Sequence, residues 1–564
     1  MTRRTRPVWR LAIAAGLAIG LTTEARDGGQ RDTARWLQDA GPITDLEGRA
    51  VTLASLPAAA GADVWVVRIQ AAWCGTCQWQ AEWTPAVAAR YSDRVSVVDL
   101  LVADEDNQPA DAAAGRRWDA RTRGAAVTLI AEPGALAAAF PLPASLPRVV
   151  IIDRRTGSVA ATLANPDPDR LIDAIDQALG GIAAPRARTA RVDGLFTPDQ
   201  WAIIQGMRLP PFIPPDPTNR VADNPLAADF GFALFFDKGL SEAGIACASC
   251  HNADHLFADH QNRPSYGTGN ARRNVPPLVL LDLARSQFWD GRADSVWSQA
   301  VAPIEDQHEM GSDRLYVAHR VLALYQTDYE GVFGPLPAAL GDRQRFPLHA
   351  RPGTEAWARM RPDDQHAVSR VFANVGKALA AFERRLRVAP TALDRYAAGD
   401  TDALSVAEKD GLAAFLEAGC AQCHFGPRLS NDAFHNLRFP TARADGQPDR
   451  GRAEGAADLV ASDFSRHGLF SDAPTPPPPA PRVDRAEGAF RTPGLRGVAG
   501  TSPYGHGGGF DGLRAVIEAH RTGGLPAESP ATLGEAEPWA QGFDPALTAR
   551  IVRFLNGLRA DIVR

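Results

Sequence analysis

The sequence contains Cys247-Ala-Ser-Cys250-His251 and Cys420-Ala-Gln-Cys423-His424, two copies of one five-residue pattern. Two cysteines separated by two residues and followed at once by histidine form the pattern that attaches a c-type haem. Two thiols one helical turn apart can each bond one vinyl group of a porphyrin, and the next residue then presents its imidazole to the iron. A structural disulfide or half of a zinc site are the alternatives for such a pair. The sequence therefore predicts two covalent haems with His251 and His424 as proximal ligands.

Composition limits the possible classes of protein. The chain has 564 residues, of which 45% are hydrophobic and 22% charged, and its net charge is −6. This length provides for about three to four domain-sized units, and the composition is that of a globular protein. No long basic run follows the first ten residues, which argues against a nucleic-acid partner.

The N-terminus has the features of an export signal. Four arginines lie within the first ten residues, and residues 11–21 form a short apolar run followed by an acceptable cleavage site at 23–25. We interpret residues 1–26 as a signal peptide, and the same segment, if uncleaved, would be a membrane anchor. Because haem c is attached outside the cytoplasm in bacteria, both signals indicate the periplasm.

Residues 27–182 alternate between strand and helix patterns, which predicts an α/β domain. A buried-strand run at 64–69 leads into Trp73-Cys74-Gly-Thr-Cys77, and a helix pattern continues to about Arg90. Further strand runs lie at 95–102, 147–153 and 159–163, and an amphipathic helix at 167–179 closes the unit. A strand that leads into W-C-x-x-C at a helix start is the thioredoxin arrangement.

The cysteine pair of this domain predicts thiol chemistry. A helix N-terminus lowers the pKa of the first thiol, Cys74, and Cys77 would then be the resolving thiol. A structural disulfide or a metal pair on the same fold are the alternatives. The domain resembles periplasmic thioredoxin-like proteins of the TlpA type, in which a cis proline faces the disulfide, and Pro147 matches that position. A copper carrier of the SCO type fits less well because its cysteines are more widely spaced.

After a predicted linker at 183–195, the chain resembles the bacterial dihaem cytochrome c peroxidase and MauG family. The matching blocks, besides the two haem motifs, are residues 234–240, 273–278, 288–292, 308–311, 490–493 and 501–506. The resemblance implies two mainly α cytochrome c-like domains, which we place at 196–390 and 391–564. We expect the Pro-rich stretch 441–485 to be loop.

The resemblance also implies roles around the first haem. Gln299 and Glu309 would line its open side, and Glu309 would move the peroxide proton. Trp289 would relay electrons between the haems. Classical peroxidases of this family close the resting site with a histidine in the loop after the first motif, but residues 264–270 contain none. We therefore expect a five-coordinate first haem, as in the MauG branch, and assign no role to His255, His260 or His308.

For the second haem, the family match places His520 at the position of the other axial ligand. The branches of the family use Met or Tyr there, whereas this chain has a histidine. We therefore expect a low-spin second haem with two histidine ligands, and a surface histidine without a ligand role is the alternative. His506 matches an inter-domain histidine. The oxygen atoms of Asn274, Thr501 and Pro503 match a calcium site at the domain interface.

Three functions remain open from the sequence. The first is a peroxidase that takes electrons from a small cytochrome or cupredoxin, and the second is a MauG-like enzyme that oxidises side chains of a partner protein. A non-catalytic electron carrier that links the thiol pair to two haems is the third. The thioredoxin-like domain could also select or reduce the partner on which the haems act.

Overall fold

The structure is a computed structural model of the chain. It describes residues 43–52, 61–131, 146–164, 166, 168–180, 191–260, 267–441, 447–474, 486–527, 529, 531–537 and 541–563. The predicted signal segment 1–26, most of the predicted linker 183–195 and the prolines at 476–479 lie outside these residues. Among the described helices, none combines the length and the apolar character needed to cross a bilayer.

The first unit is a seven-stranded sheet with helices packed against it. Its strands are β1 (Ile43–Thr44), β2 (Ala50–Val51), β3 (Val64–Ala71), β4 (Val95–Ala103), β5 (Val127–Ala131), β6 (Arg148–Asp153) and β7 (Ser158–Ala164). Its helices are α1 (Gly75–Tyr91), α2 (Ala112–Thr122) and α3 (Pro168–Ala178). The spatial order is β2-β1-β5-β4-β3-β6-β7. The parallel strands β3, β4 and β5 are continued by the antiparallel strands β6 and β7, which is the thioredoxin arrangement.

The centre of this sheet is buried on both faces. Every residue of β3 is buried, as expected for a continuous apolar run between two helical layers. Arg68 and Gln70 are the polar residues of this strand, and the Arg68 guanidinium makes two hydrogen bonds to Asp99 of β4 at 2.6 and 2.7 Å. Trp118 of α2 donates its indole N–H to the same carboxylate at 2.9 Å. The buried charge is thus paired and hydrogen-bonded, as burial requires.

The cysteine pair lies where β3 ends and α1 begins. The Leu146–Pro147 peptide bond, which precedes β6, is cis, as the TlpA-type resemblance predicts. The Thr76 hydroxyl donates to the Leu146 carbonyl at 3.4 Å and so joins the start of α1 to this segment. The predicted α/β thioredoxin-like fold is confirmed.

A second core is built from helices around a long central one. The helices of this part of the chain are α4 (Pro198–Gly206), α5 (Pro225–Phe236), α6 (Val296–Glu305), α7 (Arg314–Leu324), α8 (Gln326–Phe333), α9 (Glu355–Arg359) and α10 (Pro362–Glu383). Helix α10 packs against α5, α6 and α7. It approaches α5 so closely that a Cβ on Gly231 would lie 2.0 Å from the carbonyl oxygen of Ala378. Only glycine permits this contact. The first haem motif follows α5 in the chain, and the close packing of α5 therefore places the motif beside the core.

A third core contains the second haem motif. Its part of the chain forms β8 (Arg387–Val388), α11 (Ala392–Ala397), α12 (Val406–Glu417), β9 (Phe434–His435), α13 (Arg452–Ala461), β10 (Phe490–Arg491), α14 (Leu513–Thr522), α15 (Ala546–Gly557) and β11 (Ile562–Val563). Helix α12 begins at a capping box formed by Ser405 and Glu408, as predicted. It packs against α15, where Gly411 faces the Arg550 carbonyl. The two predicted mainly α regions are therefore present.

The predicted boundary at residue 390 does not separate these two cores, because segments from each side of it are buried in the core of the other side. Helix α4 lies on the first side of the boundary, but its Ile204 is buried in the third core with Tyr396. Phe464 and Phe470 lie on the second side, but they are buried in the core around α10. Burial of apolar side chains decides both placements, and a division at residue 390 does not describe them.

The expectation that residues 441–485 form only loop is wrong. Helix α13 lies within this stretch, and its small residues Gly455 and Ala456 are buried. A Cβ on Gly455 would lie 2.4 Å from the carbonyl oxygen of Asp290. The helix therefore forms because small residues let it pack closely against the segment that contains Trp289.

Candidate active site

The second haem motif opens into an apolar pocket. Cys420–Gln422 form a single 3₁₀ turn, and the backbone N–H of His424 donates to the Cys420 carbonyl at 2.8 Å. Both cysteines of the motif, His424 and His520 line one pocket. Its apolar walls include Phe415, Leu495, Ile517, Ile551 and Leu555. Two thiols, two imidazoles and an apolar wall are the groups that a covalent haem with two histidine ligands requires.

Hydrogen bonds orient both histidines of this pocket. The Nδ1 atom of His424 lies 3.0 Å from the Leu429 carbonyl oxygen, and that of His520 lies 2.8 Å from the Val516 carbonyl oxygen. If each Nδ1–H donates, each Nε2 carries the lone pair that can bind iron. Burial lowers the pKa of both imidazoles, that of His424 to about 4 with a further contribution from His520. Both side chains thus favour the neutral form that binds a metal.

The first haem motif has the same local geometry. Cys247–Ser249 form a 3₁₀ turn, and the N–H of His251 donates to the Cys247 carbonyl at 3.0 Å. The Nδ1 atom of His251 lies 2.6 Å from the Phe257 carbonyl oxygen, which again leaves Nε2 to bind iron. Burial raises the pKa of the Cys250 thiol to about 11. Both motifs therefore present the donor set of a c-type haem.

Gln299 lies within α6, and Glu309 follows four residues after the end of that helix. Gln299 is 9% exposed, and its buried Oε1 atom has no hydrogen-bond partner among the residues described by the structure. Burial raises the pKa of Glu309, although Arg292, with Nη2 3.8 Å from Oε1, opposes the shift. The Glu309 carboxylate contributes to the raised pKa of Cys247 and Cys250, so it lies near the first motif. An unpaired acceptor and a carboxyl group with a raised pKa fit a site that binds peroxide and moves a proton.

The loop after the first motif is attached to the backbone of Glu309. The N–H of Thr268 donates to the Glu309 carbonyl at 2.9 Å, and a Cβ on Gly267 would lie 2.1 Å from the same oxygen. Residues 267–270 contain no histidine, and residues 264–266 lie outside the described part of the chain. His255 and His260 stack on each other with ring centroids 3.6 Å apart. The His308 side chain is 59% exposed.

Trp289 lies at the pocket of the second motif. Its indole N–H donates to the Asn274 carbonyl at 2.8 Å, and its own carbonyl accepts from the Arg491 N–H at 2.7 Å. The buried His506 ring stacks on Phe490, with centroids 3.5 Å apart. These contacts hold Trp289 rigidly beside the pocket, and its role as a relay stays a prediction.

The predicted calcium residues lie close together. The side-chain amide of Asn274 donates to the Pro503 carbonyl at 2.7 Å, while its Oδ1 atom is buried without a partner. The Thr501 hydroxyl donates to the Val498 carbonyl at 3.2 Å. An unpaired amide oxygen suits Ca²⁺, and the calcium site stays a prediction.

Cys74 and Cys77 form a disulfide and are fully buried. Residues of the second haem region pack against the turn that contains them. The Cα of Gly75 faces the Phe425 ring, and Trp73 makes an edge contact with His435, with centroids 4.7 Å apart. The thioredoxin-like active-site turn thus packs against the segment that follows Cys423.

His435 is a residue that the sequence reasoning missed. Its Nε2 atom lies 3.7 Å from the Sγ of Cys423, and its Nδ1 atom lies 3.1 Å from Oε2 of Glu537. It also lines the second pocket. Nothing in its position, twelve residues after Cys423, singles it out in the sequence.

These features define a c-type cytochrome with two haem-attachment sites and a thioredoxin-like domain. A family model described as di-haem cytochrome c peroxidase matches residues 225–402. The methylamine utilization protein MauG of Methylophilus methylotrophus is 31% identical over 335 residues, which cover 57% of this chain and 82% of that protein. The cytochrome c551 peroxidase of Pseudomonas aeruginosa is 28% identical over 333 residues, or 58% of this chain and 78% of that one. The chain therefore belongs to the dihaem cytochrome c peroxidase and MauG family.

A solved structure is also similar to more than half of this chain. The dihaem peroxidase BthA from Burkholderia thailandensis E264 matches with a TM-score of 0.46 and 21% identity, over 62% of this chain and 89% of that chain. Membership of the family implies two c-type haems and a dihaem peroxidase-like oxidoreductase activity.

Proposed function

We propose that the protein reduces hydrogen peroxide at the haem attached to Cys247 and Cys250, with electrons relayed from the second haem. The observation that carries this proposal is Glu309, a carboxyl group near the first haem motif whose pKa is raised by burial. Gln299 adds a buried acceptor that has no hydrogen-bond partner among the described residues. An electron carrier needs neither group. The proposal therefore favours an enzyme over a non-catalytic cytochrome.

The protein side of the reaction follows from these residues. His251 would bind the iron of the haem, and the haem would supply the redox chemistry toward peroxide. The Gln299 amide would orient the peroxide by hydrogen bonds. The Glu309 carboxylate would take the proton from one peroxide oxygen and return it to the other, which would leave as water. The raised pKa of Glu309 suits this role because it makes the carboxylate a stronger base toward the peroxide proton.

The second haem would be held by Cys420, Cys423, His424 and His520. Trp289 lies at the edge of this pocket and would relay electrons toward the first haem. A small cytochrome or cupredoxin would supply the electrons. We place the protein in the periplasm, since covalent haem attachment and the basic, then apolar N-terminus agree on this compartment. Calcium at Asn274, Thr501 and Pro503 would brace the loop beside Trp289.

A MauG-like reaction, in which a partner protein is oxidised, is the second candidate. The described residues of the loop after the first motif, 267–270, contain no histidine, and this favours a first haem that is open at rest. The name of the relative from Methylophilus methylotrophus places it in methylamine utilization. Rapid peroxide reduction with reduced cytochrome c would favour the peroxidase, whereas a covalently modified partner that co-purifies would favour the MauG-like reaction.

An EPR spectrum of the oxidised protein, recorded before and after one equivalent of peroxide, tests the proposal. We expect one high-spin and one low-spin haem that both respond to peroxide. Glu309→Gln should keep both haems but consume peroxide about 10²- to 10⁴-fold more slowly, which is the usual contribution of a general acid–base group. Glu355→Gln, at an exposed glutamate of α9, is the matched control. A Glu309→Gln protein with the wild-type rate, or haems inert to peroxide, would overturn the proposal.

A further inference from the structure

The surface that a thioredoxin-like domain offers to its redox partner is covered here by the second haem region. Cys74 and Cys77 have no exposed surface. A Cβ on Gly75, between them, would lie 2.5 Å from Cδ1 of Phe425, which directly follows His424. Ala433 belongs to the same apolar cluster as the two cysteines, and Cys423 packs against it. A protein partner therefore cannot reach the disulfide while the two regions are packed in this way.

Polar contacts make this interface specific. Asn107 of the thioredoxin-like domain donates its side-chain amide to the Phe434 carbonyl at 3.0 Å and to Oε2 of Glu537 at 2.8 Å. The side-chain amide of Asn431 donates to the Trp73 carbonyl at 3.4 Å. At the rim, the guanidinium of Arg285 donates to the Glu105 carbonyl at 3.2 Å. Buried polar groups of the two regions thus form hydrogen bonds with each other, as expected for a specific interface and not for an incidental contact.

A continuous series of contacts joins the dithiol to the second haem motif. Trp73 directly precedes Cys74, and its ring meets the edge of the His435 ring at a centroid distance of 4.7 Å and an angle of 72°. His435 Nε2 then lies 3.7 Å from the Sγ of Cys423, the atom that would bond the porphyrin. The indole nitrogen of Trp73 is buried without a hydrogen-bond partner in the described part of the chain, so no polar bond seen there explains why tryptophan occupies this place.

We propose that the Cys74/Cys77 dithiol is an internal two-electron donor to the second haem, with Trp73 and His435 as the path. The inference rests on the proposed peroxidase function, because peroxide is the final acceptor. In each turnover the two S–H bonds break, the S–S bond forms, and the O–O bond of peroxide breaks. Two electrons pass one at a time through the second haem, and the two released protons end in water. One dithiol and one hydrogen peroxide thus yield one disulfide and two waters.

The fully buried disulfide limits how the dithiol is regenerated. A dithiol reductant, either a small molecule or a protein of the thioredoxin class, must reach Cys74 after the interface opens. The covered state then performs electron transfer to the haem, and the open state performs thiol exchange. The same surface of the domain serves both partners in turn.

A thiol count after a single peroxide turnover tests the inference. The holoprotein is reduced with excess dithiothreitol, desalted without oxygen and mixed with one equivalent of peroxide. At each time it is denatured, alkylated and weighed by mass spectrometry. Because the other four cysteines are predicted to be bonded to haem, only Cys74 and Cys77 should react. We expect both thiols to disappear while the peroxide-induced absorbance change of the haems decays.

Two tryptophans of the same domain provide a matched pair of variants. Trp73 and Trp65 are both buried, and neither indole nitrogen has a hydrogen-bond partner among the residues that the structure describes. Of the two rings, Trp73 is the one that contacts His435 there. Trp73→Leu should slow thiol loss more than about tenfold, equivalent to about 1.4 kcal/mol in the barrier, whereas Trp65→Leu should not. Should Trp73→Leu not fold, the Cys74→Ser/Cys77→Ser double variant replaces it. Without internal electrons, its peroxide-induced absorbance change should persist.

Each result decides the question. Thiol loss that depends on Trp73, or a persistent absorbance change in the double variant, supports the inference. Haems that respond to peroxide while both thiols survive, or equal thiol loss in the two tryptophan variants, overturn it and leave the proposed function standing. Haems that do not respond to peroxide overturn both.

Discussion

Gly75 of the thioredoxin-like domain packs so closely against the ring of Phe425, in the second haem region, that no space is left for a Cβ at position 75. The first lies between the two cysteines of the disulfide, and the second follows the proximal histidine of the haem motif. This contact makes the access of the dithiol depend on the haem region.

Gly75→Ala should open this interface. The added Cβ would lie 2.5 to 2.8 Å from three ring atoms of Phe425, so the two regions must shift apart. We expect the reduced native protein to be alkylated at Cys74 at least about tenfold faster than wild type, since access to a buried group follows the population of the open state. Gly61→Ala, in the same domain with open space around it, should leave the alkylation rate unchanged. Equal rates in the two variants would show that Phe425 does not shield the pair.

His520→Ala should change the second haem alone. The His520 side chain is held by its contact with the Val516 carbonyl and lines the same pocket as His424. Loss of the second strong ligand should convert the low-spin EPR signal to a high-spin one and raise the reduction potential of that haem. His366→Ala, at a histidine that stacks on Phe470 in the core around α10, should keep the low-spin signal. An unchanged low-spin signal in His520→Ala would mean that another residue binds the iron.

Glu383→Gln should make stability less dependent on pH. Burial, together with the Asp282 carboxylate, raises the pKa of Glu383 from 4.5 to about 8, and its Oε2 atom has no hydrogen-bond partner within the described ranges. Between these two values the folded protein holds a proton that the unfolded chain releases. The stabilisation from this group is therefore complete below pH 4.5 and is lost as the pH rises toward 8, by up to about 1.4 kcal/mol per pH unit.

Denaturant unfolding at several pH values measures this effect. At pH 8 the Glu383→Gln protein should exceed wild type by about 4 kcal/mol in unfolding free energy, because the amide never has to ionise in the core. At pH 5 the difference should be small. The exposed Glu355→Gln control should follow the wild-type curve at both pH values. Parallel curves for Glu383→Gln and wild type would contradict the prediction.

Asn274→Ala should weaken calcium binding if the predicted site is correct. Its Oδ1 atom is the buried, unpaired oxygen of the group, and the variant removes it. We expect elemental analysis of the dialysed holoprotein to find about one Ca²⁺ in wild type and clearly less in the variant. Asn224→Ala, at a helix N-cap of the first haem region, is the control. Wild-type protein without calcium after dialysis against a calcium buffer would refute the site.

Local patterns in the sequence were sufficient for much of this protein. The spacing of Cys247, Cys250 and His251 specifies a haem site because the ligands come from one short turn, and the structure places both motifs in such turns. The capping box at Ser405 and the alternation of strands and helices up to residue 178 are local for the same reason. The roles of Gln299, Glu309 and Trp289 came from a family resemblance and not from local physics.

Only the tertiary structure decided which surfaces meet. Asn107 and Phe434 are bonded although 327 positions separate them, and no periodicity in the sequence indicates such a pair. The same holds for His435 beside Trp73 and for helix α4, which crosses to the core of the second haem motif. Motifs and helix caps depend on neighbours in the chain, and the sequence therefore determined them. Docking depends on the burial of side chains from distant segments, which only the folded chain brings together.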